Sequence, residues 1–166
     1  MHITEVQLKN IKSHVDSLYR FGTGTTAITG VNGAGKTTIL EGIAWALFDV
    51  LEYKKGDFIR RGAKKGTVRV TFRSDLDQRE YQVYRDTSGG YFLFDPGLNL
   101  RLGEKKHDVA ALLRQRLGVE PGTDLADLFR HAIGVPQGTF TAAFLDSAAA
   151  RKTAFDKLLK VEEYRD

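Results

Sequence analysis

No cysteine occurs among the 166 residues. That absence excludes disulfides, thiolate zinc sites and cysteine nucleophiles within this chain. Long apolar runs are missing as well: none approaches the length of a bilayer span. Met1-His2-Ile3-Thr4-Glu5 has neither a basic flank nor an apolar stretch of the kind that directs secretion. A cytoplasmic chain with no membrane partner is the expectation. Internal repeats and low-complexity segments are absent too, and the length suits one compact body able to bury a core. The formal charge of +4 and the pI near 9.3 are compatible with a nucleic-acid partner. Many soluble proteins carry as much, so charge alone decides nothing.

What is present is more informative. Residues 30–38 read Gly-Val-Asn-Gly-Ala-Gly-Lys-Thr-Thr. Gly30, Gly33 and Gly35 lack a Cβ, so the backbone can take positive φ and turn N–H groups inward around phosphate oxygens. Lys36 adds a mobile point charge for the β- and γ-phosphates, Thr37 offers a hydroxyl to Mg²⁺, and the following helix adds its positive N-terminus. A strand before and a helix after are the context such a loop requires. The β-prone run Thr25, Thr26, Ala27, Ile28, Thr29 predicts the strand, and Ile39, Ile43, Ala46 and Leu47 recur at helical spacing through Phe48. Trp45 and Phe48 lie on or near the apolar side of that helix and are read as core.

Along the rest of the chain, residues 2–9 and 15–21 predict two strands around the turn Asn10-Ile11-Lys12-Ser13-His14. A polar, basic connector covers about 54–65. Val68, Val70 and Phe72 then alternate with Thr67, Arg69, Thr71 and Arg73, and residues 81–85, 91–94 and 98–102 continue an antiparallel β meander. Two helices follow, one over 108–117 stopped by Gly118 and one over 124–133 stopped by Gly134. From Ser147 as N-cap the final segment reads as a helix with no stop signal before Asp166.

Tyr91-Phe92-Leu93-Phe94-Asp95 imitates the apolar-run-plus-aspartate form of a second metal-binding motif, and Thr87-Ser88-Gly89-Gly90 imitates part of a signature loop. No helix fits between the two, and Pro96-Gly97 stands where a catalytic glutamate belongs. Ser88-Gly89-Gly90 is therefore read as a hairpin turn. Further on, Gln137 sits in a Pro/Gly-framed loop, Val135-Pro136-Gln137-Gly138. Its amide is thereby free of regular helix and able to reach a metal ion or water at a neighbouring site. Taken alone, a solvated glutamine is the simpler reading of that loop.

Residues 31–41 with Gln137-Gly138 and residues 151–164 resemble the N-terminal half of the ATPase head of SbcC, the bacterial relative of the Rad-type double-strand-break repair ATPase, in the wider SMC and ABC-type group. Residues 8–14 are similar to that family's opening strand and turn, and residues 57–63 to its connector. The resemblance implies an α/β P-loop NTPase fold of the ABC/SMC head type. Residues 1–146 would be the N-terminal ATPase lobe, with its antiparallel β meander, and 147–166 the start of a truncated coiled-coil root helix.

By position the resemblance further implies that Gly33, Ala34, Gly35, Lys36, Thr37 and Thr38 bind the triphosphate of ATP. Thr37 and Gln137 complete the Mg²⁺ shell, with Lys36 and Gln137 acting in catalysis. Lys12 and Ser13 flank the nucleotide, Asn32 sits at a head-to-head interface, and Arg61, Gly62, Ala63 and Lys64 border the base. A solvated basic surface is the plain alternative for Lys12, Arg60, Arg61, Lys64 and Lys65. The implied partners are a C-terminal lobe of the same ATPase, which would supply the missing aspartate, glutamate and signature motifs, and a second head in an ATP-state homodimer. An SbcD-type nuclease and DNA, bound without regard to sequence, complete the set. Another SMC-like or ABC-type lobe, a small P-loop kinase and a nucleotide-binding scaffold that never turns over remain as alternatives; the β meander after the loop's helix argues against the kinase.

Overall fold

The computed structural model describes residues 1–134 together with Ser147 and Lys152. The Gln137 loop and most of the helix expected over 147–166 lie outside the described residues. By compactness the chain divides into Met1–Leu125 and Ala126–Asp166.

In the first unit six strands form one antiparallel sheet. They are β1 (His2–Ile11), β2 (His14–Arg20), β3 (Thr67–Arg73), β4 (Glu80–Asp86), β5 (Tyr91–Asp95) and β6 (Leu100–Gly103). Their order across the sheet is β2-β1-β3-β4-β5-β6. The alternation read from residues 67–73 is the cause of this arrangement, because side chains two apart share a face. Leu8 stands opposite Val68, Val70 opposite both Val6 and Val83, and Phe72 opposite Tyr81. All of these are buried. The opposite face carries Gln7, Arg69, Tyr84 and Phe92 in the neighbouring register.

Two helices cover the apolar face. Helix α1 (Lys36–Phe48) packs on β1, β3 and β4, and α3 (Lys106–Leu117) packs on β5 and β6. Trp45 and Phe48 are buried in this core, as expected from their helical spacing. Gly42 lets α1 sit close: a Cβ there would lie 2.7 Å from Leu8 Cδ2. The end of α1 is locked by Arg85, whose buried guanidinium lies between the rings of Trp45 and Tyr91 at 4.8 and 4.6 Å. It donates to the Trp45 carbonyl and the Asp49 carboxylate. A buried charge held by two acceptors and two ring faces is compensated.

Several expectations hold in detail. Gly118 ends α3 with φ 71°. The 88–90 turn is a hairpin tip, with Gly89 at φ 109° and the N–H groups of Ser88 and Gly90 donating to Asp86 Oδ1 at 2.8 and 2.9 Å. Asp95 is buried, accepts from Arg79 at 2.6 Å and from the Leu98 N–H at 3.0 Å, and is no metal motif.

Two expectations are corrected. Residues 25–29 form no strand, because β propensity needs a neighbouring strand to satisfy its ladder and none in the sheet pairs with this run. The helix expected over 124–133 is α4 (Leu125–Leu128), running into a wide π turn, Phe129–Ile133. Gly134 there has φ −102° instead of a left-handed cap. Its N–H reaches the Phe129 carbonyl at 2.7 Å, so the wide turn already satisfies the group that a left-handed cap would serve. Among the described residues no helix is long and apolar enough to cross a membrane.

Candidate functional site

The glycine-rich loop runs into α1 through Gly35, which caps the helix in the left-handed region at φ 93°, ψ 17°. Gly33 is left-handed as well, at φ 80°. Among the described residues no side chain caps the helix, and its first turn holds no acidic residue. The leading N–H groups of a 13-residue helix and the positive end of its dipole are thus left uncompensated at the surface, the arrangement that takes an anion. Lys36 Nζ donates to the carbonyls of Gly30 and Val31 at 2.8 and 2.9 Å. An ammonium has three donors, so one remains to be directed at a ligand. Asn32, Gly33, Ala34 and Thr37 are exposed, while Thr38 is buried beneath the first turn. The residues present fit a polyphosphate.

Two further segments lie beside this loop. The β1–β2 turn presents Ser13 and His14 to Gly35 so closely that a Cβ on that glycine would stand 2.4 Å from Ser13 Oγ and 2.4 Å from His14 Nε2. The connector is laced onto the same turn. It begins with a short helix, α2 (Lys55–Phe58). Lys12 N–H donates to the Phe58 carbonyl at 3.0 Å, Arg60 N–H to the Asn10 carbonyl at 2.9 Å, and the Arg60 guanidinium to the Ser13 carbonyl at 3.0 Å. The Arg60 carbonyl accepts from Ala63 N–H at 2.9 Å across a turn in which Gly62 has φ 87°. Arg61 and Lys64 are exposed on either side of it.

Of the residues expected at the site, Ser13 stands against Gly35, while the 61–64 turn follows Arg60, which is bonded to the β1–β2 turn that carries Lys12 and Ser13. Gln137 lies outside the described residues. The Lys12 side chain turns to α1, where its ammonium pairs with Glu41 at 2.8 Å and sits 4.1 Å from the centre of the Tyr53 ring. Burial, then the nearby Glu41 carboxylate, push the Tyr53 phenol far above its ordinary value. Tyr53 Oη is itself buried and makes no hydrogen bond of ordinary geometry among the described residues. Sequence reasoning missed Tyr53 and the pairing of Lys12 with Glu41; an acid five residues after Lys36 was the one available signal.

The family model described as an AAA domain matches residues 5–164. The DNA double-strand break repair Rad50 ATPase of Archaeoglobus fulgidus is 36% identical over 89 residues, 52% of this chain and 10% of that protein. Its namesake from Thermoplasma acidophilum is 46% identical over 74 residues, 44% of this chain and 8% of that protein. The namesake from Sulfolobus acidocaldarius is 30% identical over 118 residues, 69% of this chain and 11% of that protein. The chain thus spans only about a tenth of the length of these relatives. Among solved structures, that of the recombination mediator protein RecF with ATP, in the RecFOR pathway, superposes with a TM-score of 0.52. At 20% identity, it covers 62% of this chain and 28% of the other, and it shares the α/β P-loop ATPase fold. The chain therefore belongs to the AAA domain family, in which it is similar to double-strand break repair ATPases of the Rad50 kind.

Proposed function

We propose that this chain is the nucleotide-binding N-terminal lobe, over residues 1–146, of an SbcC-like ATPase whose ATP-gated head dimerisation controls the processing of DNA double-strand breaks. The observation that carries the reading is the uncapped, acid-free start of α1 behind left-handed Gly33 and Gly35, with Lys36 folded over the loop. The backbone N–H groups from Gly33 to Thr38 bind phosphate oxygens, and Lys36 brings its remaining donor to the β- and γ-phosphates. Thr37 contributes its hydroxyl, and Gln137 its amide, to Mg²⁺. When bound, ATP with Mg²⁺ supplies a γ-phosphoryl group open to in-line attack by water, and Lys36 stabilises the charge that develops there. Ser13 and Lys12 flank the nucleotide, with Lys12 exchanging Glu41 for it, while the 61–64 turn borders the base.

A complementary lobe is part of this reading. Residues 25–29 are β-prone and unpaired, Val31 is 78% exposed and Leu40 54% exposed. Apolar side chains that far into solvent beside a catalytic loop suit coverage by the C-terminal lobe of the same ATPase and, across Asn32, by a second head. Contacts to a γ-phosphate that exist only before hydrolysis give the second head its preference for the ATP state. An SbcD-type nuclease is the partner whose access to DNA ends this cycle controls, and residues 147–166 begin the coiled coil.

The test is calorimetric and kinetic. This chain is expected to take up MgATP at one site, to turn it over negligibly alone, and to hydrolyse it when the C-terminal lobe is added. Rapid phosphate transfer to a small acceptor by the chain alone sinks the proposal.

A further inference from the structure

One buried polar side chain touches the loop and has no part in the scheme above. His14, the first residue of β2, is 4% exposed. Its Nε2 stands 3.2 Å from the Gly35 carbonyl, and its Nδ1 lies 3.1 Å from Ser17 Oγ and 3.2 Å from Tyr19 Oη. The Tyr19 ring meets the imidazole edge-on at 5.8 Å. A carbonyl only accepts, so the hydrogen resides on Nε2, and Nδ1 receives a hydroxyl hydrogen from Ser17 or Tyr19. The two hydroxyls thus select the tautomer that can donate to the loop.

The acceptor's place makes this contact consequential. Gly35 is the N-cap of α1, so its carbonyl already accepts the first intrahelical hydrogen bond. His14 takes the second lone pair. In a planar trans peptide the Lys36 N–H points opposite to the Gly35 carbonyl. Gripping that carbonyl from two sides therefore aims the Lys36 N–H out of the helix start, where the loop receives an anion. Without a Cβ, Gly35 has the freedom to rotate this peptide, and His14 opposes that rotation.

We propose that His14 is a positioning residue for the triphosphate, holding the Gly35–Lys36 peptide in its anion-binding orientation through Nε2–H and kept in that tautomer by Ser17 and Tyr19. The proposal rests on the phosphate-loop reading. It does not require His14 to touch the nucleotide.

The experiment uses this chain, MgATP calorimetry and ¹⁵N spectra of its histidines. His14→Leu, which keeps bulk and removes the donor, is expected to weaken MgATP binding about tenfold, the loss of one hydrogen bond's worth of positioning. His14→Gln restores an N–H near the Nε2 position and is expected to recover most of that loss, whatever its melting temperature. The paired Ser17→Ala/Tyr19→Phe variant, which leaves the ring in place, is expected to weaken binding several-fold and to shift the His14 signals toward the other tautomer. This variant carries the test should His14→Leu fail to fold. Wild-type affinity in His14→Leu, equal weakness in the Gln and Leu variants, or an Nδ1–H tautomer in the wild-type chain each overturns the proposal. A wild-type chain that takes no MgATP overturns the phosphate-loop reading itself, and with it this one, and is told apart from the other failures because it precedes every substitution.

Discussion

Lys36 is held by two carbonyls of its own loop, so its charge is kept against the glycine-rich turn before any ligand arrives. Replacing it tests binding without testing the core, since its ammonium is at the surface. Lys36→Met is expected to weaken MgATP binding tenfold or more, about 1.4 kcal/mol or above, with a thermal midpoint close to that of the parent. A calorimetric titration beside a melting curve checks both halves. Asp86 is a residue whose titration bears on stability. Burial pushes its carboxyl up. The Lys65 ammonium at 2.7 Å, the N–H groups of Gly90 and Ser88, and the Tyr84 hydroxyl outweigh that and hold it below the usual carboxylate range. A carboxyl depressed in the folded state contributes stability that is fully present above its unfolded value, about 3.9, and is lost as pH falls through the folded value below it. Asp86→Asn is therefore expected to melt lower than the parent at pH 7, with the gap closing in acid below about pH 4. Melting curves from pH 7 to pH 2 on both proteins decide it, and a gap independent of pH removes Asp86 as the cause.

At the scale of elements, α1 and the sheet must meet closely for the loop to be presented at all. Gly42 is where they meet, with Leu8 Cδ2 at 2.7 Å and Val68 Cγ1 at 3.5 Å from the site of an added Cβ. Gly42→Leu forces the helix off β1 and is expected to cost about 1–3 kcal/mol and, by moving the start of α1, to weaken MgATP binding as well. Denaturant titration gives the first effect and calorimetry the second; a loss of stability with binding untouched would separate helix seating from loop geometry. The elements themselves were largely legible. Alternation by two gave β3 to β5, and the left-handed glycines at 89 and 118 gave the hairpin tip and the end of α3, because those signals are local. Residues 25–29 misled for the opposite reason: a strand is made by its neighbour, and propensity says nothing about whether one is there. The glycine-rich loop with Lys36 could be singled out because its parts are consecutive. His14 and Gly35 are 21 residues apart, and Lys12 and Glu41 are 29 apart, so their meeting depends on the β1–β2 register and on how α1 crosses the sheet. No spacing in the sequence reports either.

For the whole molecule, the question is how a net charge of +4 is spent. Much of the positive charge is internally committed: Arg20 to Glu5, Lys65 to Asp86, Arg79 to Asp95, Arg85 and Lys106 to Asp49, and Arg116 to Asp77. The connector differs. Lys54, Lys55 and Lys64 are exposed there and make no ion pair among the described residues. Cations unpaired among the described residues, on a segment bonded to the β1–β2 turn, are suited to DNA phosphates, and phosphate contacts announce themselves by counterion release without regard to sequence. If these three lysines each displace one counterion, the slope of log affinity against log salt is about −2.7, roughly a fortyfold loss between 50 and 200 mM salt. Anisotropy of a labelled duplex over that range is expected to show this slope for the parent and a nearly flat line for Lys54→Ala/Lys55→Ala/Lys64→Ala, equally for unrelated duplex sequences. A parent slope near zero removes backbone phosphates from the function of this surface. An unchanged slope in the triple variant moves the DNA to another face, and the open side of the sheet with Arg69 and Arg101 is the next to be tested.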